Sequence, residues 1–336
     1  MTKDHMTASS PPILYHYTDA GGLQGILGPG QGPYIVEFPD EDMRMRHRND
    51  HNLYTNGKAA LFRATDIRFM NDSTELVFGA RVVNDRLTKA SADLTLDPAL
   101  RSAFAAAAAA FNPERVFDWP FRCFAACFCE DGDLLSQWRG YAGGVGGFSI
   151  GFPHEVLKQF SYGIHVMAAG NMHDLPVPAT LVQVSYGEEE AGNRADQMVE
   201  AVTRAFRAGA LLLDLDRRPT LFTGLAAFRA IAGMKHSAFQ EEREWRLVTV
   251  TESGRQVRTR SRPSGMTPYT DVVVNARLSG EHGPDYVSDA PLAKVVVGPT
   301  ASPAAQILAV RDLLTSRGMW GFRDVPVVSS TAPFRS

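Results

Sequence analysis

Two periodicities share this chain in irregular order, and that order limits what it can fold into. Segments with alternating faces run from Ile13 to Thr18, Leu61 to Ile67, Phe121 to Cys129, Phe148 to Phe152, Leu181 to Tyr186 and Arg243 to Val250, with shorter ones near 271–274, 294–297 and 325–328. Apolar stripes at helical spacing follow Asp19 (Leu23, Ile26, Leu27) and Asp72 (Leu76, Ala80, Val83, Leu87), and helices are also expected at about 97–111, 192–213, 220–240 and 302–316. A doubly wound sheet needs regular strand–helix–strand alternation, which this order lacks. The sequence therefore predicts an α+β fold with mixed, mainly antiparallel sheets and peripheral helices. With 44% hydrophobic residues in 336 and neither repeat nor clear linker, one domain over 13–330 is the simplest division. A polar, flexible tail at 1–12 precedes it. The charged, aperiodic stretch 34–58 is an expected insertion or flap.

The formal net charge of -3 gives no global attraction for nucleic acid, although a local basic patch is compatible with it. No run approaches the ~18 apolar residues that read as a membrane span, so no membrane partner is expected. The three cysteines, Cys123, Cys127 and Cys129, crowd one short strand and cannot form a disulfide framework, which fits a reducing cytoplasm. Their spacing does not match a zinc site, and no metal is expected. A Cys129–His16 nucleophilic pair has no activating feature beside it.

Four segments carry candidate chemistry. Glu242-Arg243-Glu244-Trp245-Arg246, read as strand, sends Glu242, Glu244 and Arg246 to one face. Two carboxylates so placed repel each other unless a cation or a substrate hydroxyl lies between them. A solvated strand edge with a local ion pair accounts for the same residues. His16 shares a strand face with Thr18 and stands between Tyr15 and Tyr17; it is either a packed histidine or a ligand for a ribose hydroxyl. Asp72 and Glu75 form a capping box, which leaves Asn71 without a capping role and well placed to bind. Ser136, Trp138, Arg139 and Tyr141 lead into a glycine-rich hairpin, where backbone can approach a ligand and Arg139 can hold a phosphate.

In order along the chain, these segments resemble a bacterial family known as domain of unknown function 2971. The resemblance rests on Leu14-Tyr15-His16-Tyr17-Thr18 with Gly22-Leu23 and Ile26-Leu27, then Leu61-Phe62, Asn71-Asp72 and Glu75. It continues through Cys127-Phe128, Leu135 to Tyr141, Lys235 and Glu242 to Leu247, and ends at Pro268-Tyr269 and Val297-Gly298-Pro299. It spans roughly residues 13–300.

A looser resemblance is to ADP-ribosyltransferases, which order an early histidine strand, a central aromatic or serine motif and a late Glu-x-Glu strand. It implies a split sheet and a function as an NAD-dependent ADP-ribosyltransferase or NAD glycohydrolase, of the toxin or anti-phage effector type. NAD would be the substrate, the acceptor a protein or nucleic acid, and a cognate antitoxin a further partner. By position, His16 with Tyr17, Thr18, Asn71, Ser136 and Arg139 would contact NAD, and Trp138 or Tyr141 would stack on nicotinamide. Glu244 would be the catalytic carboxylate, and Glu242 would orient or deprotonate the acceptor. The alternative is a non-catalytic nucleotide or nucleic-acid binding module using Arg139, Arg243 and the basic part of 44–58.

Overall fold

The computed structural model describes residues 11–27, 60–70, 73–141, 146–159, 161–165, 175–209, 218–252, 257–262, 265–274, 291–316 and 323–333. The expected tail (apart from Pro11 and Pro12), the flap at 34–58 and Asn71 with Asp72 lie outside these residues.

The strands, in chain order, are β1 (Ile13–Thr18), β2 (Ala60–Asp66), β3 (Phe121–Cys129), β4 (Phe148–Pro153), β5 (Ser161–His165), β6 (Leu175–Pro178), β7 (Thr180–Gln183), β8 (Ser185–Tyr186), β9 (Met234–Lys235), β10 (Glu244–Glu252), β11 (Arg258–Arg262), β12 (Gly265–Val274), β13 (Lys294–Val297) and β14 (Val327–Ser329). The longer helices are α1 (Ala20–Leu27), α2 (Ser73–Ala92), α3 (Pro98–Ala110), α4 (Leu135–Tyr141), α5 (His154–Gln159), α6 (Gly187–Arg207), α7 (Arg218–Ala232) and α8 (Pro303–Ser316). The class is α+β, as expected. The helices expected at 192–213 and 220–240 run instead over Gly187–Arg207 and Arg218–Ala232, followed by the short 3₁₀ turn Ser237–Glu242.

The main sheet runs β14-β13-β4-β1-β3-β2-β12-β5-β6 and is antiparallel except for the β13–β14 pair; β10 joins β3 to β7, and β11 extends β12. β3 is the branch point. One edge pairs with β10 along its whole length, from Cys129 opposite Glu244 to Phe121 opposite Glu252. The other edge is shared: β1 attaches only at Tyr15 opposite Cys129, and β2 at Thr65 opposite Ala125 and Asp66 opposite Phe124. Between these attachments β1 and β2 diverge and leave Cys127 in the fork.

Alternation along β3 and β10 divides the apolar side chains between two cores. Phe124, Ala126 and Phe128 join Trp245 and Leu247 in a core covered by α1, α5 and α8. Cys123, Ala125, Val248 and Val250 face the opposite core, covered by α2, α3, α6 and α7. The stripe Leu76, Ala80, Val83 and Leu87 is buried there, as its spacing predicts. Asp97 caps α3 by accepting from the Ala99 N–H at 2.8 Å. A smaller cluster of Tyr15, Tyr17, Cys129, Trp138 and Val296 backs the fork. No helix among the described residues is long and apolar enough to cross a membrane.

Candidate functional site

The fork opens into a cleft of about 610 Å³ whose walls come from β1, α1, β2, β3, the end of α4 and β11. His16, Tyr17, Cys127 and Tyr141 line both this cleft and a smaller recess of about 40 Å³ that leads to Glu242 and Glu244. The recess has room for roughly two or three waters, or one small group of a ligand.

His16 is placed by strand alternation. Its ring packs edge-on against Phe62 at 5.1 Å and tilts against Phe128 at 5.7 Å. Nδ1 lies 2.8 Å from the Cys127 carbonyl oxygen. A carbonyl only accepts, so Nδ1 carries the proton and Nε2 presents a lone pair. Burial pulls the imidazole pKa down from 6.5 to about 4, helped by the charge of Arg260 and opposed by the Cys127 bond. His16 is thus a neutral acceptor suited to a ligand hydroxyl.

The segment 135–141, expected as the approach to a hairpin, is helical, and the helix sorts its side chains. Gln137 and Tyr141, four residues apart, face the recess. Trp138 turns the other way. Its ring meets Tyr17 edge-on at 4.6 Å, and its Nε1 donates to Asp133 at 2.8 Å. A Cβ at Gly298 would come within 2.9 Å of its six-membered ring, so glycine is needed there. This corrects the choice between aromatics: Tyr141 faces the cavity and Trp138 is a packing residue, because their positions on the helix send them in different directions. Arg139 is exposed and lines neither cavity; Ser136, outside both, has a buried hydroxyl with no partner among the described residues. Thr18 lines the cleft, and its side chain fills the space that a Cβ at Gly22 would need. Tyr17 spends its hydroxyl locally, donating to the Asp131 carbonyl at 2.9 Å and accepting from the Leu134 N–H at 2.7 Å.

Glu242, Glu244 and Arg246 do converge, but not as one strand face. β10 begins at Glu244, and Arg243 adopts a left-handed conformation (φ 40°, ψ 55°) that swings Glu242 round on the end of a 3₁₀ turn. All three then join Lys235 and Glu75 in one cluster. Glu244 accepts from Arg246 Nε at 2.8 Å and Nη2 at 2.9 Å, and from Lys235 Nζ at 3.1 Å, so both its oxygens are engaged. Glu75 bridges the same cations, to Lys235 at 3.0 Å and Arg246 at 2.8 Å. The sequence assigns Glu75 to capping α2; the structure gives it this ionic role. Lys235 also donates to Glu242 Oε2 at 2.8 Å.

Three carboxylates thus surround two cations, an excess of one negative charge in a largely buried cluster. The cost falls unevenly. At Glu244 burial pushes the pKa up, but Arg246 and Lys235 overcome it and hold the carboxyl at about 2. At Glu242 burial prevails over Lys235, and the negative charges of Glu244 and Glu75 add to it, so the pKa is raised. Glu242 is also the more accessible of the pair, and its Oε1 has no partner among the described residues. The other face of β10 is anchored separately, with Trp245 Nε1 donating to Glu130 at 3.1 Å and Arg243 near the same carboxylate.

The cysteines are not activated. Cys129 lies 3.0 Å from the Asp131 carbonyl oxygen, and burial pushes its thiol up to about 12. Burial also raises Cys123 and Cys127. Among the described residues no group of three or more His, Cys, Asp and Glu side chains is arranged to hold a metal ion.

Sequence reasoning gives Lys235, Arg246, Glu75 and Gln137 no role in binding or catalysis, although all four belong to the motif series itself. Comparison with known proteins agrees with the part of that series between Gln137 and Leu247. No curated protein and no solved structure matches the chain. Residues 137–247, which contain Gln137, Tyr141, Lys235 and the Glu242–Glu244–Arg246 cluster, match the model of the family described as "Protein of unknown function (DUF2971)", and the chain carries that family's pattern in this segment.

Proposed function

We propose that the fork binds NAD and that the protein is an NAD-dependent ADP-ribosyltransferase or NAD glycohydrolase, acting as a toxin or anti-phage effector. The observation that carries this reading is the meeting of His16, Tyr141 and Glu242 around one recess that adjoins a dinucleotide-sized cleft. Nicotinamide stacks on Tyr141, and a hydroxyl of its ribose donates to His16 Nε2.

Cleavage breaks the bond between the nicotinamide ring nitrogen and ribose C1′. The electron pair leaves with nicotinamide, and positive charge develops on the ribose, as in glycoside hydrolysis. The surplus negative charge of the Glu75–Glu242–Glu244 cluster opposes that charge and stabilises the transition state more than the ground state. The acceptor, or water in the hydrolytic case, forms the new bond to C1′ and gives its proton to Glu242. Burial, by raising the basicity of that carboxylate, suits it to the task. Glu244 acts from behind it, fixing Lys235 and Arg246.

The engagement of both Glu244 oxygens favours a second reading, a binding module without turnover. Incubation with NAD and a panel of acceptors (protein, RNA, DNA and water) separates the two. The enzyme reading requires nicotinamide release. A rise in melting temperature with NAD but no release supports the binding module, and neither response overturns both.

A further inference from the structure

One face of the β2–β12–β11 ribbon carries Arg63 and Thr65, Thr267 and Tyr269, and Arg260 and Arg262 in register. Arg260 and Arg262 both point Nη2 at one atom, the Thr65 hydroxyl oxygen, at 2.7 and 3.4 Å. Arg63 and Arg260 also share the Tyr269 ring, with guanidinium carbons 5.5 and 5.7 Å from its centroid. All three arginines line the cleft, and none forms an ion pair with a carboxylate among the described residues. Arg260 Nε is buried and has no hydrogen-bond partner among the described residues. Asp19, the carboxylate in the cleft lining among the described residues, caps α1 by accepting from the Gly22 N–H at 2.7 Å. The neighbouring Asp271 is taken by Arg258.

Three like charges held together by a ring and one hydroxyl repel one another, and an anion between them removes that cost. The effect is already felt inside the protein: burial and then the charges of Arg262 and Arg63 bring Arg260 down to about 10. A cleft of about 610 Å³ falls within the size range of small-ligand sites.

We propose that Arg63, Arg260 and Arg262 form a subsite for the diphosphate of a nucleotide, on the β2–β11 wall of the cleft that adjoins the Glu242 recess. The assignment deepens the NAD reading by naming the group held on this wall, yet it does not depend on turnover. Planar guanidinium forks match phosphate oxygens in pairs, which a cluster of lysines would not do.

The test is calorimetric titration of the intact chain with inorganic pyrophosphate, ADP and a single-stranded oligonucleotide, at low and high salt. The expected result is saturable binding of pyrophosphate and ADP that weakens on the order of tenfold or more in Arg260→Gln, as for loss of a charge-assisted hydrogen bond. The exposed Arg63→Gln should weaken it in the same sense, which guards against misfolding of the more buried variant. Glu242→Gln should leave pyrophosphate binding unchanged while nicotinamide release falls, so failure of the NAD reading alone is recognisable. Equal binding of pyrophosphate to wild type and both arginine variants, or no binding at all, overturns the subsite. Arginine-dependent binding of the oligonucleotide without binding of ADP also overturns it, in favour of a nucleic-acid contact.

Discussion

His16 Nδ1 donates to the Cys127 carbonyl oxygen across 2.8 Å, at the point on β3 that neither β1 nor β2 covers. A side chain thereby satisfies an edge group that would otherwise lack a strand partner, and the same bond fixes which ring nitrogen faces the cleft. Because burial holds the imidazole near pKa 4, His16 should stay neutral throughout the range where an ordinary histidine titrates. Two-dimensional NMR of the imidazole nitrogens will show the His16 ring without titration between pH 8 and about 5. A midpoint near 6.5 for His16 would refute the argument from burial.

The two carboxylates of the Glu-x-Glu pair should respond in opposite ways to removal of their charge. Glu244→Gln breaks the fork to Arg246 inside the protein and should cost about 3 kcal/mol in urea unfolding, the low end for one partner of a buried pair, because Glu75 and Glu242 still face the cations. Glu242→Gln removes the surplus charge and should be neutral or slightly stabilising, while nicotinamide release is lost. Equal destabilisation by both would show that the strain is not localised at Glu242.

Acid stability follows from the same cluster. Glu244 titrates at about 2 in the fold and 4.5 in the unfolded chain, so the folded state binds fewer protons between those values. Its contribution is complete above about pH 4.5 and disappears as pH falls toward 2. Glu242 has the reverse sign, favouring the fold at low pH and losing that contribution as pH rises through its raised pKa. Acid-unfolding curves of the wild type and Glu244→Gln should therefore differ in slope mainly below pH 4.5. Nicotinamide release should rise with pH through the raised Glu242 value, since the base acts deprotonated.

Trp138 and Tyr141 can be told apart by what their loss affects. Trp138→Ala empties a buried site and should cost about 3–5 kcal/mol. Tyr141 is 43% exposed, and Tyr141→Ala should change stability little while weakening NAD binding. Thermal melts with and without NAD measure both quantities, and an unaltered NAD shift in Tyr141→Ala would remove it from the site.

Much of the layout is legible in the sequence because burial imposes periods that a sequence records. Alternation along β1 and β3 assigns the faces of His16 and Cys127, and helical spacing puts Leu76, Ala80, Val83 and Leu87 of α2 in the core, all from local pattern alone. Other features leave no such record. β11, Arg-Thr-Arg-Ser-Arg, has no apolar residue to signal a strand and exists through its pairing with β12. The seven-residue helix α4 ends beside glycines and so reads as the approach to a hairpin. Glu75 has the sequence signature of a cap, and its bond to Arg246 joins residues 171 positions apart, a relationship only the tertiary fold creates. The left-handed turn at Arg243 falls on a residue type with no marked preference for it, so the redirection of Glu242 does not follow from spacing.

The fork in the sheet has a mechanical consequence. β1 and β2 belong to two arms whose shared backbone attachment is β3, with a single paired position, Tyr15 opposite Cys129, on the β1 side. A molecule lodged between the arms touches both and acts as a brace that the peptide ladder does not supply. Occupancy of the cleft should therefore register as slower hydrogen exchange at the β1–β3 junction, where a single paired position now carries the attachment.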